Sequence, residues 1–209
     1  SIPVAGVSAL LLFVVSAIVS SLNFPLIFLL LILGYILLNI LYSSGLKKLN
    51  YIALFILSIF YTFRIFAGGI ASSIEVSKWL IFFSIFFFLS LSTVKRLGEL
   101  YNLTISEFEK SERGFKKEDA KKLKVFSLSN ATLSCSVLTF YLFSENALLI
   151  YENTTFLYLI PLLTFAWFYN LYRSSLSGDL TDDPLIYAVK NPKSLVMGFI
   201  TIVSFILAL

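Results

Sequence analysis

The sequence contains no histidine and a single cysteine, Cys135, in 209 residues. Those absences exclude His-based catalytic triads, zinc sites built from Cys and His, and any disulfide within the chain. Cys135 sits in an apolar run, where a thiol is expected to serve packing. Charge is also scarce. Only 13% of residues are charged, about half the roughly 25% usual in a soluble domain. No polar half is left once the apolar runs are set aside, so a separate soluble domain is not expected. Strand-type alternation is missing too, which argues against a membrane barrel.

What the chain does have is apolar length, with 58% hydrophobic residues and a mean hydropathy of +0.91. Seven apolar segments are read, approximately 4–22, 24–42, 51–71, 78–94, 125–143, 156–172 and 194–209. Each approaches the length of about 20 residues that a helix needs to cross the hydrocarbon core. In lipid the backbone must satisfy its own polar groups, so runs of this length are expected to be helical. The expected fold is therefore all-α, a multi-pass transmembrane helical bundle forming one domain over residues 1–209, with residues 95–124 as a loop within it. The chain opens Ser1-Ile2-Pro3 directly into an apolar run, and the expectation is that processing or truncation has removed something before it.

Lys and Arg are unevenly distributed. Two stand at Lys47 and Lys48, nine between Lys95 and Lys124, and three between Arg173 and Lys193, whereas the connections 20–23, 72–77 and 144–155 have none, Lys78 alone standing at their border. By the positive-inside rule the basic loops face the cytoplasm, and seven spans then put Leu209 outside. The sequon Asn153-Thr154-Thr155 falls in a loop assigned to the outside, a weak pointer. Trp79, Trp167, Tyr169 and Tyr172 fall near expected span ends, where interface anchoring explains them.

Most candidate chemistry lies at the basic loops. Residues 93–100 read Thr-Val-Lys-Arg-Leu-Gly-Glu-Leu. On a continuous helix, Lys95 and Glu99 are four apart and Arg96 and Glu99 three apart, so the three side chains can form one charged cluster. A stop-transfer boundary, with Lys95 and Arg96 snorkelling to the interface, accounts for the same cations. Tyr42-Ser43-Ser44-Gly45-Leu46-Lys47-Lys48 ends the second run with a turn that can hold an anionic head group, or Lys47 and Lys48 are plain topology markers. Arg64 is deep in the third run, where insertion of a guanidinium costs roughly 2.5–3.5 kcal/mol or more. It requires a partner or a wet cavity, unless it snorkels outward. Gly68-Gly69 follows it and would admit a close neighbour or open the helix. The loop 95–124 carries nine basic and six acidic residues, a net +3, and can meet anionic lipid without specificity. In it, Gly114 reads as a helix stop, with Glu118 and Asp119 in an early turn of the next helix. Asp182 and Asp183 could ligate Mg²⁺ beside a phosphate. Equally, either one before Pro184 fits a helix N-cap with proline at the first helical position.

Taken together these segments resemble the UbiA superfamily of intramembrane prenyltransferases, and within it the branch that includes decaprenyl-phosphate phosphoribosyltransferase and proteins fused to a haloacid-dehalogenase-like domain. Tyr42-Ser43 with Leu46-Lys47, and Tyr61-Thr62-Phe63-Arg64-Ile65-Phe66-Ala67-Gly68-Gly69, resemble that branch's Y-S-x-x-L-K and Y-T-L-R-I-x-A-G. Leu89-Ser90-Leu91 with Val94-Lys95-Arg96 and Glu99-Leu100 look like its L-S-L-x-x-V-K-R-x-x-E-L. Arg113-Gly114-Phe115 with Glu118-Asp119 look like R-G-Y-x-x-E-D, and Asp182-Asp183-Pro184 like a late D-D-P. The five occur in the family's order.

The resemblance implies a nine-helix fold, of which this chain would hold seven, around a cavity that binds Mg²⁺-diphosphate. It implies a polyprenyl lipid and a diphosphate-bearing substrate joined in the membrane with loss of diphosphate. Both an allylic-cation prenyl transfer and attack of a polyprenyl phosphate on phosphoribosyl diphosphate fit. By the same resemblance Lys95, Arg96 and Glu99 are the expected catalytic group, Tyr42, Lys47 and Arg64 the expected diphosphate-binding group, and Asp182 and Asp183 weaker metal candidates. The family's first motif, N-D-x-x-D-x-x-x-D, which would complete the Mg²⁺ site, is absent. That absence motivates a rival reading, a non-catalytic lipid-binding membrane module. A small transporter using Arg64 is a third, although the internal repeat it predicts is not visible. A homo-oligomer is left open, and nothing in the sequence points to nucleic acid.

Overall fold

The computed structural model describes residues 2–102, 115–180 and 183–209. Among them all regular structure is helical. The main helices are α1 (Ile2–Asn23), α2 (Leu26–Ser44), α3 (Asn50–Ser72), α4 (Lys78–Asn102), α5 (Ala120–Leu142), α6 (Glu145–Ile150), α7 (Leu159–Ser177), α8 (Pro184–Lys190) and α9 (Pro192–Ala208), with 3₁₀ turns at Leu46–Lys48, Lys117–Asp119 and Thr154–Tyr158.

Five helical stretches among the described residues are long and apolar enough to cross a membrane: Leu26–Ser44, Asn50–Ser72, Lys78–Asn102, Lys117–Leu142 and Thr154–Ser177. A sixth results if α8 and α9, bent by 86° at their junction, count as one broken span. The seven expected spans are thus reduced to five or six by these criteria, while α1 occupies the place of the first expected run.

Helix ends follow from local chemistry. Asp183-Pro184 and Asn191-Pro192 start α8 and α9 in the same way. The Asp183 carboxylate accepts from Leu185 N at 3.1 Å and the Asn191 amide oxygen from Ser194 N at 3.1 Å. In each case proline fills the first helical position, where no amide hydrogen is needed. Restarting twice within eight residues turns the chain sharply between α8 and α9. Of the two aspartates offered by the sequence as caps, Asp183 is the cap; Asp182 and Gly114 lie outside the described residues. The 3₁₀ turn holding Glu118 and Asp119 precedes α5 as the sequence suggested. At the other end, α3 stays helical through Gly68 and Gly69. The second glycine is needed for closeness, since a Cβ there would meet Ile74 O at 2.9 Å and collide with Val76 Cγ2.

α4 is the axis of the bundle, packed against α3, α5, α7 and α8. Its interior face is built from small polar side chains as much as from leucine: Ser84, Ser90, Ser92 and Thr93 are all buried. Small residues let helices approach closely where lipid offers no hydrophobic drive for association. Ser90 Oγ donates across to Ser127 O of α5 at 3.1 Å, and Ser58 Oγ of α3 donates to Ile85 O of α4 at 2.8 Å. Each such bond contributes about 0.6 kcal/mol. Leu91 and Val94 meet Phe168 and Leu171 of α7 together with Leu180. Cys135 is buried among packed helices, as expected. Trp167 departs from the interface role expected of it. It is the ninth of 19 residues in α7 and stacks on Phe87 at 5.7 Å with 9° between planes. The other face of the bundle is apolar and exposed, and α2 has no buried residue at all.

Candidate functional site

Three turns of α4 build the site. Leu91, Lys95, Gly98 and Asn102 recur at spacings of four, three and four, which places them along one helix face. The connection after α7 lies along this stripe. Gly178, with φ +83°, ends α7 in a left-handed conformation that glycine adopts without penalty. Asn102 Nδ2 then donates to Leu180 O at 2.8 Å, and Leu180 is buried beside Leu91. Gly98 makes the approach feasible, because a Cβ there would stand 3.1 Å from Leu180 O and 3.2 Å from its Cδ2. Asp183, three residues after Leu180, meets Lys95, whose Nζ donates to Asp183 Oδ2 at 2.8 Å.

Asp183 therefore works with both oxygens, Oδ1 on the first turn of α8 and Oδ2 on Lys95. The pair is part-exposed, 39% for Lys95 and 30% for Asp183, and lines a small cleft of about 50 Å³ with Leu57, Tyr61, Ser92 and Pro184. An ammonium carries three donors. One is committed to Asp183.

Arg96, one residue on, points away from the cleft. It is 5% exposed and pairs with Glu99 on the same helix. Lys95, Arg96 and Glu99 remain one electrostatic cluster, both cations acting on the Glu99 carboxylate, but their direct ion pairs differ. Arg96–Glu99 is made at the i,i+3 spacing, whereas the Lys95 ammonium bonds Asp183, because residues 95 and 96 leave the helix about 100° apart.

Arg64 finds aromatic partners on α2 and α3. Its Nη2 donates to Tyr35 Oη at 2.9 Å, and the guanidinium carbon stands 5.8 Å from the Tyr35 ring centroid and 5.2 Å from that of Tyr61. A cation over aromatic faces is held by the ring quadrupole. Arg64 lies about 21 Å along α3 from its first residue, at 1.5 Å per residue, and its side chain is exposed rather than enclosed. Tyr61 connects the two halves. It lines the cleft with Lys95, carries Arg64 on its ring, and stacks on Phe88 of α4 at 4.3 Å.

Tyr42 and Lys47 are at the basic end of the bundle but do not line this cleft. Tyr42 packs edge-on against Phe60 at 5.7 Å, and Lys47, partly buried, is in the Leu46–Lys48 turn between α2 and α3. The structure thus brings together Lys95, Asp183, Tyr61 and Arg64. Arg96, Tyr42 and Lys47 do not line the cleft, and Glu99, paired with Arg96, feels the Lys95 charge without lining it. Tyr35 and Asn102 were not singled out from the sequence. The only available signal was a polar atom in an apolar run at Tyr35 and a helix-final amide at Asn102.

Among the described residues Asp183 is the one expected Mg²⁺ ligand at the cleft. Asp183 is doubly engaged, and no group of three Asp, Glu, His or Cys residues is gathered at ligating distance among the described residues. Asp182 lies outside them.

No protein-family model matches the chain. It is similar to an uncharacterized protein, y4nM, of Sinorhizobium fredii, at 27% identity over 84% of this chain and 34% of that protein. It is also similar to the nodulation protein NoeC of Azorhizobium caulinodans, at 39% identity over 70 residues, 34% of this chain and 23% of that protein. The chain thus spans about a third of the length of the first of these relatives and less of the second.

Proposed function

We propose that the protein containing this chain is an intramembrane transferase of the UbiA type, joining a polyprenyl lipid to a second substrate with release of diphosphate. The observation that carries the reading is the meeting of Lys95 with Asp183 in a cleft whose wall, Tyr61, also supports Arg64. Lys95 lines this apolar-walled opening, and Arg64 is linked to it through the Tyr61 ring. A developing diphosphate needs such positive charge in a low-dielectric site, where oriented donors stabilise it far more than they would in water. Lys95 would present its free donors to the leaving diphosphate while Asp183 holds the ammonium in place. Arg64, exposed on α3, would meet charge from that side, with Tyr35 and Tyr61 keeping the guanidinium oriented.

With its basic loops on the cytoplasmic side, the cleft would open toward water-soluble substrates, and the exposed apolar flanks would admit the lipid from the bilayer. Both the prenyl-diphosphate and the phosphoribosyl-diphosphate chemistries release diphosphate, so both call on the same cations. No step is assigned to a metal.

One observation favours a non-catalytic lipid-binding module instead. The cleft holds about 50 Å³, little more than one or two water-sized volumes, so a diphosphate requires it to widen.

The test is diphosphate release by the full-length protein in proteoliposomes, supplied in turn with polyprenyl phosphate plus phosphoribosyl diphosphate and with a prenyl diphosphate plus an aromatic acceptor. Release that is lost in Lys95→Ala and in Arg64→Ala, each expressed at the wild-type level, supports the transferase. Release unchanged in both removes the site, and no release with either substrate pair turns the reading to the binding module.

A further inference from the structure

A second opening lies at the same basic end, between α7 and α9, and shares no lining residue with the Lys95 cleft. Its volume is about 590 Å³, enough for a head group and the first carbons of its chains. Along α7 it is lined by Ala166, Asn170, Arg173 and Ser177, spaced four, three and four apart and so on one face of the helix. From Ala166 to Ser177 that face runs about 16 Å along the helix axis, from apolar at the buried level to polar at the surface. α9 repeats the gradient with Met197 deeper and Lys193 in its first turn.

The polar end is not balanced within the protein. Arg173 and Lys193 face Asp179, whose carboxylate accepts from Ser177 Oγ at 2.6 Å. Neither cation is in an ion pair among the described residues. Asn170 Nδ2 is shielded from solvent and has no hydrogen-bond partner among the described residues, an unfavourable state for a buried polar group. An acceptor brought into the pocket would relieve it. A phosphate supplies acceptors for an amide, a guanidinium and an ammonium at once, the guanidinium in bidentate fashion.

We propose that this pocket binds a phosphate group, and that the group is the head of an anionic phospholipid whose chains run down over Ala166 and Met197. The apolar-to-polar grading along one helix face favours the lipid over free phosphate, which would have no use for the deep end. This site is independent of the transferase reading, since none of its residues takes part in the Lys95 cleft.

The test uses the full-length protein in nanodiscs of phosphatidylglycerol and phosphatidylcholine, with the lipid retained after detergent extraction counted by native mass spectrometry. Wild type is expected to retain phosphatidylglycerol in preference to phosphatidylcholine. Arg173→Gln/Lys193→Gln should lower that retention at least tenfold, and both side chains are exposed, so folding should survive. Met197→Trp, which fills the deep end without touching charge, should lower it as well. Lys121→Gln/Lys122→Gln, which removes the same charge from α5, should leave it intact. Equal retention by wild type and Arg173→Gln/Lys193→Gln, or equal loss in the α5 pair, overturns the site. Displacement of phosphatidylglycerol by millimolar inorganic phosphate, together with full retention in Met197→Trp, overturns the lipid and assigns the pocket to free phosphate.

Discussion

Lys95 and Asp183 are 88 residues apart in the chain and 2.8 Å apart in the folded protein. The contact joins the last third of the bundle's central helix to the first turn of a short helix that Tyr187 also ties down, through Ser174 and Asn191. Its electrostatic contribution to stability is small, about 0–1 kcal/mol for a pair this exposed. Its larger effect is to aim an ammonium into the cleft. If Lys95 stabilises a leaving diphosphate, Lys95→Ala should lower turnover about 10²–10³-fold, the scale seen when one positioned donor is lost. Asp183→Asn should cost less, since Lys95 remains while its aim is loosened. Steady-state diphosphate release in proteoliposomes measures both, and an Asp183→Asn loss larger than that of Lys95→Ala would place the chemistry on the carboxylate.

Asp183 also caps α8, and the two roles separate by substitution. Asparagine can still accept from Leu185 N, whereas alanine cannot. Asp183→Ala is expected to destabilise the protein by about 1 kcal/mol more than Asp183→Asn, the usual worth of an N-cap. Thermal unfolding in detergent should therefore rank wild type, Asp183→Asn and Asp183→Ala in that order. Identical midpoints for the two variants would mean that the cap contributes nothing.

Gly98 tests whether the loop trajectory delivers Asp183. A valine there would push against Leu180 O, which an added Cβ already meets at 3.1 Å. Overpacking of this kind costs about 1–3 kcal/mol. Because Leu180 stands only three residues before Asp183, the Lys95–Asp183 contact should open as well. The expected outcome for Gly98→Val is a lower unfolding midpoint together with a loss of turnover near that of Asp183→Asn. Wild-type turnover in this variant would detach the loop from the site.

The legible and the illegible residues differ in the range of the contact that decides them. The Asp183-Pro184 cap could be read locally, because an Asx side chain before proline satisfies the first-turn amides whatever surrounds it. The Arg96–Glu99 pair was within one turn of helix and could also be read. The partner of Lys95 could not. Helix spacing offered Glu99 at i+4, which feels the Lys95 charge, but the hydrogen-bonded partner is Asp183, three residues beyond the Leu180 that packs on Gly98 and Asn102. Trp167 failed for a related reason. The apolar run begins near residue 156, but residues 154–158 form a 3₁₀ turn and α7 continues to Ser177, which moves the indole from the expected span end to the middle of a helix. Arg64 was flagged by its cost in an apolar run, while its partner Tyr35 carried no signal in a segment otherwise indistinguishable from lipid-facing helix.

Arg64 divides the remaining possibilities by the kind of side chain it tolerates. Its guanidinium is held by one hydrogen bond to Tyr35 and by the faces of Tyr35 and Tyr61. Lysine keeps the charge but neither the planar fork nor the stacking. If Arg64 meets a diphosphate, Arg64→Lys should retain part of the turnover with a raised KM, and Arg64→Ala should lose it. Tyr35→Phe removes only the hydrogen bond, leaves the ring under the cation, and should cost a few-fold. If Arg64 instead only anchors α3 against α2, all three changes should shift the unfolding midpoint and leave KM unmoved. Kinetics and unfolding measured on the same three variants decide between a substrate-binding cation and a packing one, because a structural role has no route to a substrate-dependent term.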